Sequence, residues 1–277
     1  MKKKLMSAVA VLLVVFMIFA FAGCKEKPLS AQDVLANAKE KTGEFEAYWL
    51  ELDFEILLKA EQGAGNEMKQ TIKLGGEIKA DGIKGDNPTI WLDLEMNSAG
   101  RNSKLECYVE DKISYVQIDG EKHQAPIEED ALGDDFNDVF EDEDFKKFLK
   151  LFEDAFEDAT AEKDKNGNVV VKMKISGNDV KDLIEEESGE DFDELIGSGV
   201  DLDFGSINVE MTFDKNGYYK ELAVDFKMDM GQEGTTAEIN VELSVEIKGV
   251  GEEVEITPPA GYKNYPSRSE NGGWNEF

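Results

Sequence analysis

The chain has 277 residues, enough for one large domain or two small ones, and its apolar fraction of 41% supplies material for a sizeable core. Against 30 basic residues stand 61 acidic ones, a formal charge of -31 that excludes nucleic acid as a partner and disfavours a domain lying flat on anionic lipid. Two cysteines, Cys24 and Cys107, exclude a disulfide framework. With His123 the single histidine, read as an exposed strand residue, neither a structural zinc site nor a triad with a histidine base is expected.

The N-terminus carries the first targeting signal. Lys2, Lys3 and Lys4 precede an apolar run over 5–21, and Ala22, Gly23 and Cys24 follow directly. This is the order of a secretory signal: a positive region, an apolar region, then small residues at the cut. The segment resembles a bacterial lipobox, with Phe21 where leucine is usual. The resemblance implies that Cys24 is diacylated and becomes the mature N-terminus, and two acyl chains give the stable anchoring that one does not. The alternative is an uncleaved membrane anchor, because the run lies near the lower limit for spanning. Either way the lysines stay inside and the domain faces outward. Residues 1–23 are thus read as signal peptide, 24–29 as lipidated cysteine and short tether, and about 250 residues as the exported remainder.

The mature chain opens with a helix. Ser30 is its expected cap with Asp33 at the capping-box position, Ala31, Val34, Leu35 and Ala38 share one face, and Gly43 ends it. The apolar period then drops to two. Tyr48, Leu50, Leu52, Phe54, Ile56 and Leu58 alternate with charged residues; Met68, Ile72, Leu74 and Ile78 do so next, then Ile90, Leu92, Leu94 and Met96. Leu105, Cys107 and Val109 mark a fourth strand, and 113–118 a fifth, joined by turns short enough for antiparallel neighbours. The middle is helical and acidic: Phe145, Phe148, Leu149, Phe152 and Phe156 follow helical spacing. Val169, Val171, Met173 and Ile175 form a strand after a turn at 164–167, Val180, Leu183 and Ile184 a further helix, and an acidic loop punctuated by glycine runs to about 204. Ile207, Val209, Met211 and Phe213 lead through Asp214, Lys215, Asn216 and Gly217 into a return strand of Leu222, Val224, Phe226, Met228 and Met230. A last strand spans 237–247, and Val254 and Ile256 close a single domain over 30–261 before a loose polar tail at 262–277.

Roughly ten strands with one dry face need a cover, and the phenylalanine-bearing helices are the available one. The expected fold class is α+β: a strongly bent antiparallel sheet, a half-open barrel, with helices over its concave apolar face. The order of helix, long meander, helical insert, hairpin built on Asp214, Lys215 and Gly217, and an ending at Pro258 and Pro259 resembles the periplasmic lipoprotein-carrier fold. That group includes the Lol-type carriers and receptors and the mycobacterial LppX and LprG lipoproteins; the order is also similar to that of Gram-positive lipoproteins. The likeness is architectural and covers about 30–260, so no binding residue transfers position by position. It implies a hydrophobic ligand held between sheet and helices.

The residues lead to the same region independently. Met68, Met96, Met173, Met211, Met228 and Met230 all fall on the apolar parity of their strands. Methionine suits both gap-filling in an ordinary core and a cavity that accommodates variable apolar shapes. The candidate ligand-binding residues are Leu52, Phe54, Ile72, Leu94, Met96, Phe148, Phe152, Met211, Phe226 and Met228. Glu162, Asp164, Asn166 and Gly167 look like the start of a calcium loop, but Met173 stands where a bidentate glutamate is needed, so a hairpin turn is expected. The acidic stretch 128–158 reads as solvated helix start, with weak divalent-cation binding as the alternative. Trp49 and Trp91 share the charged parity, which places them at strand ends beneath a loop or on a partner surface. No phosphate loop, nucleophile elbow or metal motif is present, and no catalytic residue, metal or cofactor is expected. The function read from sequence is a monomeric, membrane-anchored, non-catalytic lipoprotein that binds a lipid or acyl chain. The alternative is a structural or interaction lipoprotein, fully packed, acting through its acidic surface.

Overall fold

The structure is a computed structural model, described here for residues 30–62, 66–85, 87–126, 155–188, 201–232, 235–251 and 254–267. Helix α1 (Ala31–Thr42) begins where the Ser30 side chain accepts the Asp33 N–H at 3.1 Å, and it ends at Gly43, whose N–H returns to the Lys39 carbonyl. Strands follow as β1 (Tyr48–Gln62), β2 (Asn66–Asp81), β3 (Thr89–Ser98), β4 (Arg101–Glu110), β5 (Ile113–Ile118) and β6 (Glu121–Pro126). After the helical residues 155–157 come β7 (Thr160–Lys163), β8 (Val169–Ile175), helix α2 (Gly177–Ser188), β9 (Asp201–Phe204), β10 (Ile207–Phe213), β11 (Tyr219–Gln232) and β12 (Thr235–Val250).

All of the strands join one 12-stranded antiparallel sheet in the order β6-β5-β4-β3-β2-β1-β12-β11-β10-β8-β7, with β9 on β11. The sheet is curved and does not close, as the expected half-open barrel requires. Its centre is β1 against β12, the first strand against the last, which ties the two ends of the domain together. Two strands go beyond those that apolar alternation marks, and His123, read as an exposed strand residue, lies half-buried in the first of them. In β6 the sequence Glu121, Lys122, His123 and Gln124 has no apolar alternation; it forms because the Asp119 and Gly120 turn returns it onto β5. β9 was expected as loop, but Leu202 and Phe204 pair with Met230 and Met228 on the stretch of β11 that β10 leaves open.

Register aligns the dry parity across the sheet. Leu105, Leu94, Gly76, Leu52, Val245, Leu222, Met211 and Val171 form one continuous row from β4 to β8. Gly76 sits in that row at φ 150, and a Cβ there would stand 1.9 Å from the Asp93 carbonyl oxygen, so β3 approaches β2 where the row has no side chain. The two hairpin turns are alike. Asp164 accepts backbone N–H groups of Asn166 and Asn168, Asp214 those of Asn216 and Tyr218, and Gly217 supplies a φ of 86. The stretch resembling a calcium loop is therefore the β7–β8 hairpin.

The principal core lies under α1. Val34, Leu35 and Ala38 meet Val171, Met173, Val209, Met211, Phe213 and Leu222, with Val180 of α2 beside them. A second cluster at the sheet centre holds Leu50, Leu52, Leu94 and Val245. A third was not expected at all. Tyr262 and Tyr265, in the segment read from sequence as loose tail, pack on Tyr108 and Tyr115, with Trp91 beside them. Tyr265 is buried, the Gln124 N–H donates to the Pro266 carbonyl at 2.9 Å, and Gln124 bridges Ser267. The tail boundary at 262 is thus corrected: polar composition hid two tyrosines that recover their burial on the sheet's other face.

Candidate functional site

The residues expected to bind ligand lie mainly on one face. Met96, Leu74, Phe54, Leu243 and Val224 make one cross-strand row; Ile72, Ile56, Val241 and Phe226 make the next, and Leu58, Ile239 and Met228 the one after that. Burial falls along the strands away from α1. Val171, Met211 and Phe213 are sealed; Leu52 and Leu94 are buried; Phe54, Ile72, Phe226 and Met228 are half-buried; Met96 is 45% exposed and Met68 64%. Of the residues singled out from sequence, Leu52, Phe54, Ile72, Leu94, Met96, Phe226 and Met228 are brought together on this face. Met211 belongs to the packed half, with the Tyr219 hydroxyl on its sulfur at 3.6 Å. Phe148 and Phe152 lie outside the described residues, as do Cys24 and the acidic stretch up to 154. The methionines divide accordingly: Met173 and Met211 fill the core, while Met68 and Met96 face outward.

The opposite face is polar and cross-linked by charge. Lys59 and Lys227 both bond Glu238, at 2.5 and 2.8 Å, and with Lys227 foremost they hold its carboxyl down at about 2. Lys248 spans Glu246 and Glu51, and these bonds raise its ammonium well above the ordinary lysine range. Trp49 and Trp91 flank Lys79, whose ammonium lies 4.5 and 5.2 Å from the two rings, and Trp91 continues into the tyrosine cluster under the C-terminal segment. The tryptophans thus sit by strand ends, Trp91 packed beneath that segment. The segment is pinned by Glu110, which accepts the Tyr262 hydroxyl at 2.6 Å and that of Tyr108 at 3.2 Å, with Lys263 3.6 Å away. The Tyr262 hydrogen bond, helped by Lys263 and opposed by partial desolvation, holds the Glu110 carboxyl below its ordinary value.

A cleft of about 1030 Å³ crosses this polar face, over β3, β2, β1, β12 and β11. Sequence patterning had directed attention to the apolar face, and nothing in a strict alternation marks where the wet side becomes concave. Cys107 lies on β4, and burial pushes its thiol up to about 11. Among the described residues no group of carboxylate, histidine and cysteine side chains is arranged to hold a metal, and no helix is long and apolar enough to cross a membrane.

A family described as being of unknown function, DUF6612, matches residues 30–265. The chain belongs to this family. The match ends at Tyr265, so the family unit includes the packed C-terminal tyrosines. No curated protein matches the sequence. Among solved structures, LprF from Mycobacterium bovis is 13% identical, covers 83% of this chain and 97% of its own, and has a TM-score of 0.36. A LolA superfamily protein from Nitrosomonas europaea is 6% identical over 83% of this chain and 99% of its own, at a TM-score of 0.16. A putative outer membrane lipoprotein-sorting protein domain from Vibrio parahaemolyticus is 12% identical over 78% and 93%, also at 0.16. Their superpositions are distant, and the function of this family member is argued from its own residues.

Proposed function

We propose that this protein is an exported lipoprotein, cut before Cys24 and held by its acyl chains on the outer face of a membrane, that binds a lipid or acyl chain on its apolar sheet face without catalysis. The observation that carries the reading is the gradient of burial. The dry parity continues for several residues beyond the core under α1, through Phe54, Ile72, Phe226 and Met228 to exposed Met96. A contiguous apolar surface of that extent on a chain of charge -31 costs solvation unless something apolar occupies it. Flexible methionines at its margin suit chains of differing length. A 24–29 tether keeps the face beside the bilayer that would supply such a ligand.

Native mass spectrometry of the purified protein, with binding of a fluorescent fatty acid as the second readout, tests this. Co-purified lipid is expected, and Phe54→Asp with Phe226→Asp should abolish fatty-acid binding while α1 and its core remain folded. Absence of both lipid and fatty-acid binding in the wild type would overturn the proposal. The anchor has its own test: labelled palmitate should enter the wild type and not Cys24→Ala.

A further inference from the structure

The cleft on the polar face is built in rows. Its floor runs across β2, β1, β12 and β11 through Gly75, Asp53, Ser244 and Ala223, which are direct cross-strand partners. Gly75, Ser244 and Ala223 project almost nothing, so the floor is low. On one side, two residues further along each strand, stand Lys73, Glu55, Glu242 and Asp225, again in register. On the other side Glu77 and Asp93 form the wall on β2 and β3. The trough therefore runs at right angles to the strands. It spans four interstrand gaps, about 19 Å, and its walls are about four residues apart along a strand, or about 13 Å.

The lining holds seven acidic residues against one lysine. Lys73 is the protein's own ammonium in the trough, its Nζ 2.6 Å from Glu55, and that hydrogen bond, with Asp53 and Glu242 adding to it, raises its affinity for a proton. Asp93 is engaged by Lys104 at 3.0 Å. Among the described residues no lysine or arginine reaches ion-pair distance of Asp53, Glu95 or Glu242. The trough thus shows one ammonium already seated and leaves several carboxylates for others.

We infer that this trough is a docking surface for an extended, lysine- or arginine-bearing segment of another polypeptide, lying across the strands with its side chains reaching both carboxylate walls. Charge complementarity selects the cation. Dimensions select a peptide over a bare polyamine: an extended chain with side chains to either side fills a width of about 13 Å, and a length of about 19 Å takes about six residues. The volume of about 1030 Å³ lies at the upper limit of small-molecule pockets. This site is on the opposite face from the lipid surface and is independent of that proposal.

Anisotropy of labelled hexalysine with the full chain, at about 0.15 M salt where the Debye length is about 8 Å, tests it. The triple variant Glu95→Gln, Asp225→Asn and Glu242→Gln should weaken binding by about tenfold or more, because short-range pairs survive that screening. Ser244→Trp fills the floor without altering charge and should weaken binding comparably. A control that removes three exposed carboxylates elsewhere, Glu40→Gln, Asp111→Asn and Glu121→Gln, should stay within about twofold. Melting curves confirm that each variant folds. The inference is overturned if wild type does not bind, if the control loses as much as the trough variant, or if Ser244→Trp binds normally. Spermine binding as tightly as hexalysine would make the occupant a small polyamine and equally overturn it. Fatty-acid binding should be unchanged in every variant.

Discussion

A methyl group at Gly76 would meet the Asp93 carbonyl oxygen at 1.9 Å, and the backbone there holds a φ of 150 that other residues rarely adopt. Gly76→Ala should therefore destabilise the protein by about 3 kcal/mol, read as a lowered midpoint in urea unfolding. Ser30→Ala should cost about 1 kcal/mol through the lost cap on α1. Glu110 carries a pH signature. Its folded-state pKa is depressed, so the stability it lends is present above the unfolded value and is lost as pH falls through the folded one. Acid titration should release Tyr262 and Tyr265, seen as altered tyrosine fluorescence at a pH below the ordinary glutamate range. Glu110→Gln should remove that step. None of these residues announces itself by type alone: Gly76 reads as one of 25 glycines and Glu110 as one of 61 acids until their neighbours are known.

At the scale of elements, alternation was enough for the long strands and capping chemistry for α1, because each rests on local periodicity and local hydrogen bonds. The core under α1 follows from the same pattern. Phe213 is fully buried between β8 and β11 with its ring 4.5 Å from that of Tyr219, and Phe213→Ala should cost about 4 kcal/mol, measurable as loss of melting temperature. Short elements were not legible. β6 carries charged and polar residues, and β9 has four residues, so both exist only because a neighbouring strand offers free backbone groups. The C-terminal tyrosines escaped for a related reason: Tyr262 and Tyr265 show no period and pack on partners about 150 residues away in sequence.

For the whole molecule, a net charge of -31 makes self-repulsion a standing cost. The ion pairs on the polar face are largely exposed and worth little singly, so screening should relieve more repulsion than it removes attraction. Melting temperature is thus expected to rise with added sodium chloride between low salt and about 0.5 M. A fall would mean that the paired lysines contribute more than the surplus carboxylates subtract. The antiparallel sheet with one dry face could be read from the chain, since alternation is a property of short-range spacing. Which parts of the dry face are sealed, and where the wet face becomes a trough, could not. Both depend on which residues stand side by side across strands distant in sequence, as Gly75, Asp53, Ser244 and Ala223 do, and on where α1 happens to lie. Alternation assigns a residue to a face; only register and curvature say what that face encloses.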